Sequence, residues 1–397
     1  MTSKIKHTQN RKRIQMTLLS AVLLIALFGI SLSTAQARTD PAGQPDVSNQ
    51  TKNPVVTISI SPAKMKSTLA FWTRQRIANA QPMEMQSDAE PAAVDEASLF
   101  EQDVVGEFGF VPAGAPAPNA DKLAKAAYPR DWKMAPVESL TNEFVDDFAD
   151  EMTGTSQVYT SYAVNVWEPA QTIYPHKWIG RLTFSTTGGT SYCSATAISG
   201  NVMLTAAHCI YDTTNNRFYS NWAFTPAYRN GSAPYGVFPG SSCSILTAWK
   251  NLSGSFTING WTKYDVGVCS MGNNSSGESL NDMVGWMGRQ WNAPYVRSFF
   301  TLGYPFKNTN NIYINNAGLY LRTCTAESFQ QTTDTRGLGC NWGSGISGGP
   351  WMTAYAPNVV SGYANGVNSG IYIGTTNMYG IRFTSANIVP LCNVEGC

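Results

Sequence analysis

Three side chains, far apart in the chain, have the types and the order needed to attack a carbonyl. His208 lies in Leu204–Cys209 (LTAAHC), Asp265 in Tyr264–Val268 (YDVGV) and Ser347 in Gly345–Pro350 (GISGGP). A serine hydroxyl is a weak nucleophile until a neighbouring base takes its proton, and imidazole is the side chain most often used for that. An acid at the start of an apolar strand, as Asp265 is, wants a strong donor such as an imidazole N–H. Glycines around Ser347 permit a tight, open turn that exposes the hydroxyl and aims peptide N–H groups at a developing oxyanion. Each element alone is modest: G-x-S-G-G could be a turn, D-V-G-V any strand, and a lone histidine is more often structural. In the order His, Asp, Ser they form a set for acyl transfer.

The rest of the chain narrows the alternatives. The only other histidines are His7, in a basic N-terminal stretch, and His176, in Tyr174–Trp178 (YPHKW). Residues 345–349 also satisfy the G-x-S-x-G of α/β-hydrolases, but that fold needs a histidine after the serine. None follows Ser347. With no C-x-x-C pair and three histidines, zinc ligation is weakly supported, so neither metal nor cofactor is expected.

Charge divides the 397 residues into three regions. Residues 1–37 carry +5 with no acid, residues 38–155 carry −8, and residues 156–397 carry +4. The first region has a basic start, an apolar run from Met16 to Ile30, and small residues at Ala35 and Ala37. This reads as a signal peptide cleaved after Ala37, and the run is short against the roughly 20 residues of a spanning helix. Export implies a secreted protein, extracellular or periplasmic, with no membrane association after cleavage. The near-neutral total of +1 argues against a nucleic-acid partner.

The second region, taken as an acidic pro-segment over 38–160, is partly helical or disordered. Helical patterns are expected at Lys66–Ala80 and Val137–Met152, with a Pro/Ala linker at Val111–Asn119 between them. The third region, 161–397, alternates short apolar runs with Gly, Asn, Ser and Pro clusters. Strands are expected near Trp178–Phe184, Ala195–Leu204, Tyr235–Phe238, Val266–Cys269, Phe299–Leu302, Ile312–Ile314 and Gly370–Ile373. Many short strands with frequent turns indicate an all-β sandwich or barrel. All eight cysteines fall here, and after an export signal they imply disulfides. Order and spacing suggest neighbouring pairs: Cys193–Cys209, Cys243–Cys269, Cys324–Cys340 and Cys392–Cys397.

With these anchors, residues 165–397 resemble the chymotrypsin-like (trypsin-like) serine proteases, nearest to the bacterial glutamyl-endopeptidase-like branch. The resemblance rests on Cys193–Cys209 (CSATAISGNVMLTAAHC), Tyr264–Val268 and Gly345–Pro350, with a fainter match at Val360–Gly366 (VSGYANG). It implies two six-stranded antiparallel β-barrels with the active site in the crevice between them. It also implies a serine endopeptidase acting on polypeptides, with Ser347 as nucleophile, His208 as base and Asp265 as its orienting partner. The N–H groups of Gly345 and Ser347 would form the oxyanion hole. Asn341 would stand at the base of the specificity pocket, followed by Trp342, with Asn365 on the pocket-lining strand. Asparagine there removes the charge that would select Lys or Arg. A non-catalytic homologue acting as a binding module is the alternative.

Trypsin-type activation pairs a freed amine with an acid beside the nucleophile, but that position here is Ile346. Latency is therefore expected to come from the acidic pro-segment, as intramolecular inhibitor or folding aid, with processing between Thr153 and Ala170.

Overall fold

Short strands dominate the computed structural model, which describes residues 54–83, 85–87, 106–120, 159–164 and 171–397. The apolar run at Met16–Ile30 and the helical pattern at Val137–Met152 lie outside these residues. Among the described residues no helix is long and apolar enough to cross a membrane.

The N-terminal third contributes strand β1 (Val55–Ser59), helices α1 (Pro62–Phe71) and α2 (Arg74–Asn79), and strands β2 (Gln81–Pro82), β3 (Gln86–Ser87) and β4 (Gly109–Val111). The helical pattern at Lys66–Ala80 is thus two helices. The chain breaks at Trp72, and Thr73 caps the second helix by accepting from the N–H of Arg76 at 3.3 Å. Trp72 and Ile77 are buried in the main core. The Val111–Asn119 stretch is not a free linker. Gly114 and Trp286 exchange two backbone hydrogen bonds at 2.9 Å, and Ala120 is buried. Proline removes donors from such a stretch but leaves every carbonyl able to accept, and the Trp286 indole N–H uses that of Pro112.

Strand β5 (Tyr159–Ala163) leads into the first barrel, built from β6 (Ile179–Thr186), β7 (Gly189–Ile198) and β8 (Val202–Thr205). A small hairpin of β9 (Tyr211–Asp212) and β10 (Arg217–Phe218) precedes β11 (Ser220–Pro226), β12 (Phe238–Leu246) and β13 (Gly267–Met271). The hydrogen-bonded order is β12-β11-β6-β7-β8-β13, and β13 pairs back onto β12, so six antiparallel strands close. The apolar run Ala195–Leu204 is therefore two strands, separated by Ser199-Gly200-Asn201, where Gly200 and Asn201 have φ of 76° and 60°. Only the last residue of Tyr235–Phe238 enters a strand.

After β14 (Gly288–Trp291), the second barrel uses β15 (Ser298–Gly303), β16 (Arg322–Thr332), β17 (Thr335–Leu338), β18 (Pro350–Thr353), β19 (Tyr363–Tyr372) and β20 (Met378–Ile381). Its order β18-β15-β16-β17-β20-β19 also closes, through the β18–β19 pair. The two expected antiparallel barrels are both present. Ile312–Ile314 is not a strand; it lies in an exposed loop, with Ile312 61 % accessible. Helix α3 (Ile388–Glu395) ends the chain against the first barrel, where the Glu395 carboxylate accepts from Ser244 at 2.6 Å and from Ser270 at 2.5 Å.

All four cysteine pairs form as expected. Cys243 and Cys269 are register partners on the closing ladder of the first barrel. The pro-segment division at residue 160 falls inside β5, which pairs antiparallel with β16 of the second barrel.

Candidate active site

His208 lies in a single turn after β8, and the Cys193–Cys209 disulfide ties that turn to β7. Asp265 follows a turn at Thr262–Tyr264 and precedes β13, the neighbour of β8. The pairing of β8 with β13 brings the two together. Asp265 is fully buried, so its charge needs donors on every side. It has three: the His208 backbone N–H to Oδ1 at 2.9 Å, His208 Nδ1 to Oδ2 at 2.7 Å, and Ser369 Oγ to Oδ2 at 2.5 Å. An ionised carboxylate only accepts, so Nδ1 carries the proton and Nε2 of the neutral ring keeps its lone pair. Nε2 is buried and has no hydrogen-bond partner among the described residues.

Ser347 stands in the loop between β17 and β18 and is 5 % accessible. The first barrel grips this loop through Ser194, the residue after Cys193. Ser194 N–H donates to the Ser347 carbonyl at 2.8 Å, and Ser194 Oγ donates to the Gly345 carbonyl at 2.9 Å. Gly348 has φ of 78°, and a Cβ there would meet Thr205 Oγ1 at 2.0 Å and Ser194 O at 2.5 Å. Only glycine fits so close to the strand that leads to His208. The loop that carries Ser347, from the second barrel, thus packs against the end of the strand that leads to His208 in the first. No hydrogen bond joins Ser347 Oγ to His208 Nε2 here; such bonds often tighten only with substrate bound.

The Gly345 N–H points to the Met83 carbonyl at 3.2 Å. Beside it, burial pushes the Tyr192 phenol well above the ordinary tyrosine range, so it stays protonated and donates to the Tyr304 carbonyl at 3.1 Å. The recess next to Ser347 is lined by Gly343, Ser344, Ile346, Asn368 and Ser369. Met85 and Gln86 also line it, and about 10 Å³ remains, the room of a single water.

None of the three expected pocket residues lines this recess. Asn365 is fully buried, accepting from Arg336 Nη1 at 2.6 Å, and burial holds that guanidinium well below the ordinary arginine range. The stretch of β19 that lines the recess is instead Asn368–Ile371, three residues further on. Trp342 packs in the second barrel's apolar cluster with Cys340 and Ile346. Asn341 is 6 % accessible, and its Oδ1 accepts from Thr309 Oγ1 at 2.5 Å, so its amide is committed to a neighbouring loop. His176, also buried, pairs with the Tyr355 hydroxyl at 2.7 Å, apart from the His208–Asp265 pair.

Ser194 and Ser369 are the site residues that sequence reasoning missed. Their signal was a hydroxyl within a fully buried stretch of strand, a group that demands a partner. Cys193, His208 and Cys209 cluster closely enough to suggest a metal site among the described residues. The two sulfurs are joined to each other, however, and a disulfide offers no thiolate ligand.

No family model matches the chain. Over 149 residues it is 26 % identical to the glutamyl endopeptidase of Bacillus licheniformis, which is 37 % of this chain and 42 % of that protein. It is also 26 % identical over 184 residues to the extracellular metalloprotease of Bacillus subtilis, covering 44 % of this chain and 52 % of that one. The chain thus spans about half the length of the curated relatives it matches. Among solved structures it is similar to the protease Anisep from Arthrobacter nicotinovorans. Identity there is 30 %, over 60 % of this chain and 99 % of that one, with a TM-score of 0.48.

Proposed function

We propose that this chain, which belongs to the chymotrypsin-like serine proteases and has a glutamyl endopeptidase among its relatives, is a secreted serine endopeptidase made as a latent precursor. The observation that carries this is the buried His208–Asp265 pair, which leaves a basic lone pair on Nε2 between two closed barrels. In this reading Ser347 Oγ attacks the peptide carbonyl as Nε2 takes its proton. The negative oxygen is held by the N–H groups of Gly345 and Ser347. Protonated His208, stabilised by Asp265, then gives the proton to the departing amine, leaving an acyl-enzyme that water hydrolyses by the same relay. Ser369 holds Asp265, and Ser194 holds the nucleophile loop.

The substrates are polypeptides, and the recess beside Ser347 selects an uncharged side chain. None of the residues lining it is ionisable, so a Lys, Arg or Glu side chain would be desolvated there without a counter-ion. The name of the Bacillus subtilis relative raises a metal-dependent reading, but here the imidazole beside the disulfide is already committed at Nδ1 to Asp265. Residues 1–37 act as the export signal, and the segment after them acts as intramolecular inhibitor or folding aid.

The test is labelling of processed protein with a serine-reactive phosphonate. One adduct is expected, on Ser347, and it should be absent from Ser347→Ala. Processed, folded protein that takes no label would sink the reading.

A further inference from the structure

Residues 81–83 and 85–87 run from β7 of the first barrel to the recess beside Ser347 and β19 of the second. Strand β2 pairs parallel with β7, setting Gln81 beside Ser191 and Pro82 beside Tyr192. The Met83 N–H donates to the Tyr192 carbonyl at 2.9 Å, and the Met83 carbonyl accepts from the Gly345 N–H at 3.2 Å. Strand β3 then pairs parallel with β19, with Gln86 beside Ile371, and the Met85 carbonyl accepts from the Ile371 N–H at 3.2 Å. Just upstream, Arg181, 1 % accessible and without an ion-pair partner among the described residues, donates to the Ala80 carbonyl at 3.3 Å.

We infer that residues 81–87 are a resident inhibitor that occupies the oxyanion donor and the specificity recess in an orientation that cannot be hydrolysed. This deepens the serine protease reading and rests on it. The amine freed in acyl transfer is the one C-terminal to the attacked carbonyl, and His208 must protonate it. His208 belongs to the first barrel, so that amine has to leave on the first-barrel side. In the resident segment the polarity is opposite. Its N-terminal half lies along β7 of the first barrel, and the chain beyond the Met83 carbonyl continues along β19 of the second. Met83 therefore fills an oxyanion donor while the chain that follows, from Met85 on, runs along the second barrel and away from the proton donor. Helices α1 and α2 and strand β1, docked on the first barrel, raise the local concentration of the segment so that two short ladders suffice to hold it.

The experiment uses the full chain. Phosphonate labelling is read on the unprocessed band of a gel, for wild type and for Met83→Pro, which removes the N–H bound to Tyr192. Wild-type precursor should label at least about a hundredfold more slowly than processed protein, and Met83→Pro precursor about tenfold faster than wild-type precursor. Mass mapping of the segment released on activation should find the Met83–Glu84 bond intact. Wild-type precursor labelling as fast as processed protein overturns the inference, and so does early cleavage at Met83–Glu84. The wild-type comparison and the mass map decide the matter even if Met83→Pro does not fold. Processed protein that takes no label would instead count against the protease reading itself.

Discussion

Exchanging Asp265 for asparagine removes a charge and almost no volume, and the surrounding hydrogen bonds dictate how the amide must turn. One oxygen of Asp265 accepts from the His208 backbone N–H; the other accepts from His208 Nδ1 and from Ser369 Oγ. If the substituted amide placed its NH₂ toward the backbone N–H, two fixed donors would face each other in a fully buried site. A buried unsatisfied donor costs about 1–3 kcal/mol. If the NH₂ faces the imidazole, Ser369 can rotate its hydroxyl and accept, and the ring can move its proton from Nδ1 to Nε2. The second arrangement wins because both groups facing the NH₂ can reverse roles and a backbone N–H cannot. The consequence is a histidine whose Nε2 is already protonated and has no lone pair for Ser347.

Asp265→Asn is therefore expected to fold with a melting temperature close to wild type and to lose about 10⁴ in kcat, roughly 5 kcal/mol of transition-state stabilisation. The assay is steady-state hydrolysis of a peptide amide by processed protein, with thermal melting as the folding control. A loss smaller than about tenfold in a well-folded variant would show that Asp265 does not set the tautomer, and the assigned relay would be wrong.

Three further outcomes follow from neighbouring contacts. Ser369→Ala deletes one of the three donors to the buried carboxylate; a hydrogen bond to a charged group is worth about 1.5–3 kcal/mol, so kcat should fall by roughly 10- to 100-fold with KM little changed. Gly348→Ala forces a Cβ to 2.0 Å from Thr205 Oγ1 and 2.5 Å from the Ser194 carbonyl at a φ of 78°, and it should abolish phosphonate labelling and destabilise by more than about 2 kcal/mol in denaturant titration. Glu395→Gln leaves one accepting oxygen where two accept from Ser242, Ser244 and Ser270; a loss of about 1–3 kcal/mol in stability with unchanged kcat is expected, since α3 packs against β12, β13 and β1.

The His208–Asp265 pair was legible in the sequence because its chemistry is restrictive. With so few histidines, and an acid set at the head of an apolar strand, the partner of Asp265 was nearly forced. The cysteine pairs were legible for a similar reason, since each bridge closes a short loop or joins neighbouring strands. The pocket strand was not. Nine of the ten residues of β19 are buried, so the in–out alternation that normally fixes register is missing. With glycines at 362, 366 and 370, the stretch at Val360–Gly366 matches the pattern of a pocket strand as well as Asn368–Ile371, which lines the recess, does. Asn365 and Asn368 are both buried asparagines, yet one receives the Arg336 guanidinium and the other donates to Thr301 Oγ1 beside the recess. Composition cannot separate them; the hydrogen-bond partners, contributed by strands far away in sequence, do.

The N-terminal segment illustrates a different limit. Its acidic excess against a basic C-terminal region suggests a masking role, yet among the described residues of the segment the groups that bond to the site are backbone carbonyls and N–H groups. Net charge is a long-range property, screened beyond about 10 Å at moderate salt, and it can favour docking without choosing a path. The path follows from local devices: the break at Trp72, the buried Ile77, and a pair of short ladders on β7 and β19. Strand polarity through the crevice decides whether a bound segment is substrate or inhibitor. It depends on which barrel the segment meets first, and here β1, α1 and α2 fix that by docking on the first barrel before the chain enters the crevice. The order of elements along the chain thereby becomes a chemical property of the site, because it sets the direction in which the Met83 carbonyl reaches the Gly345 N–H.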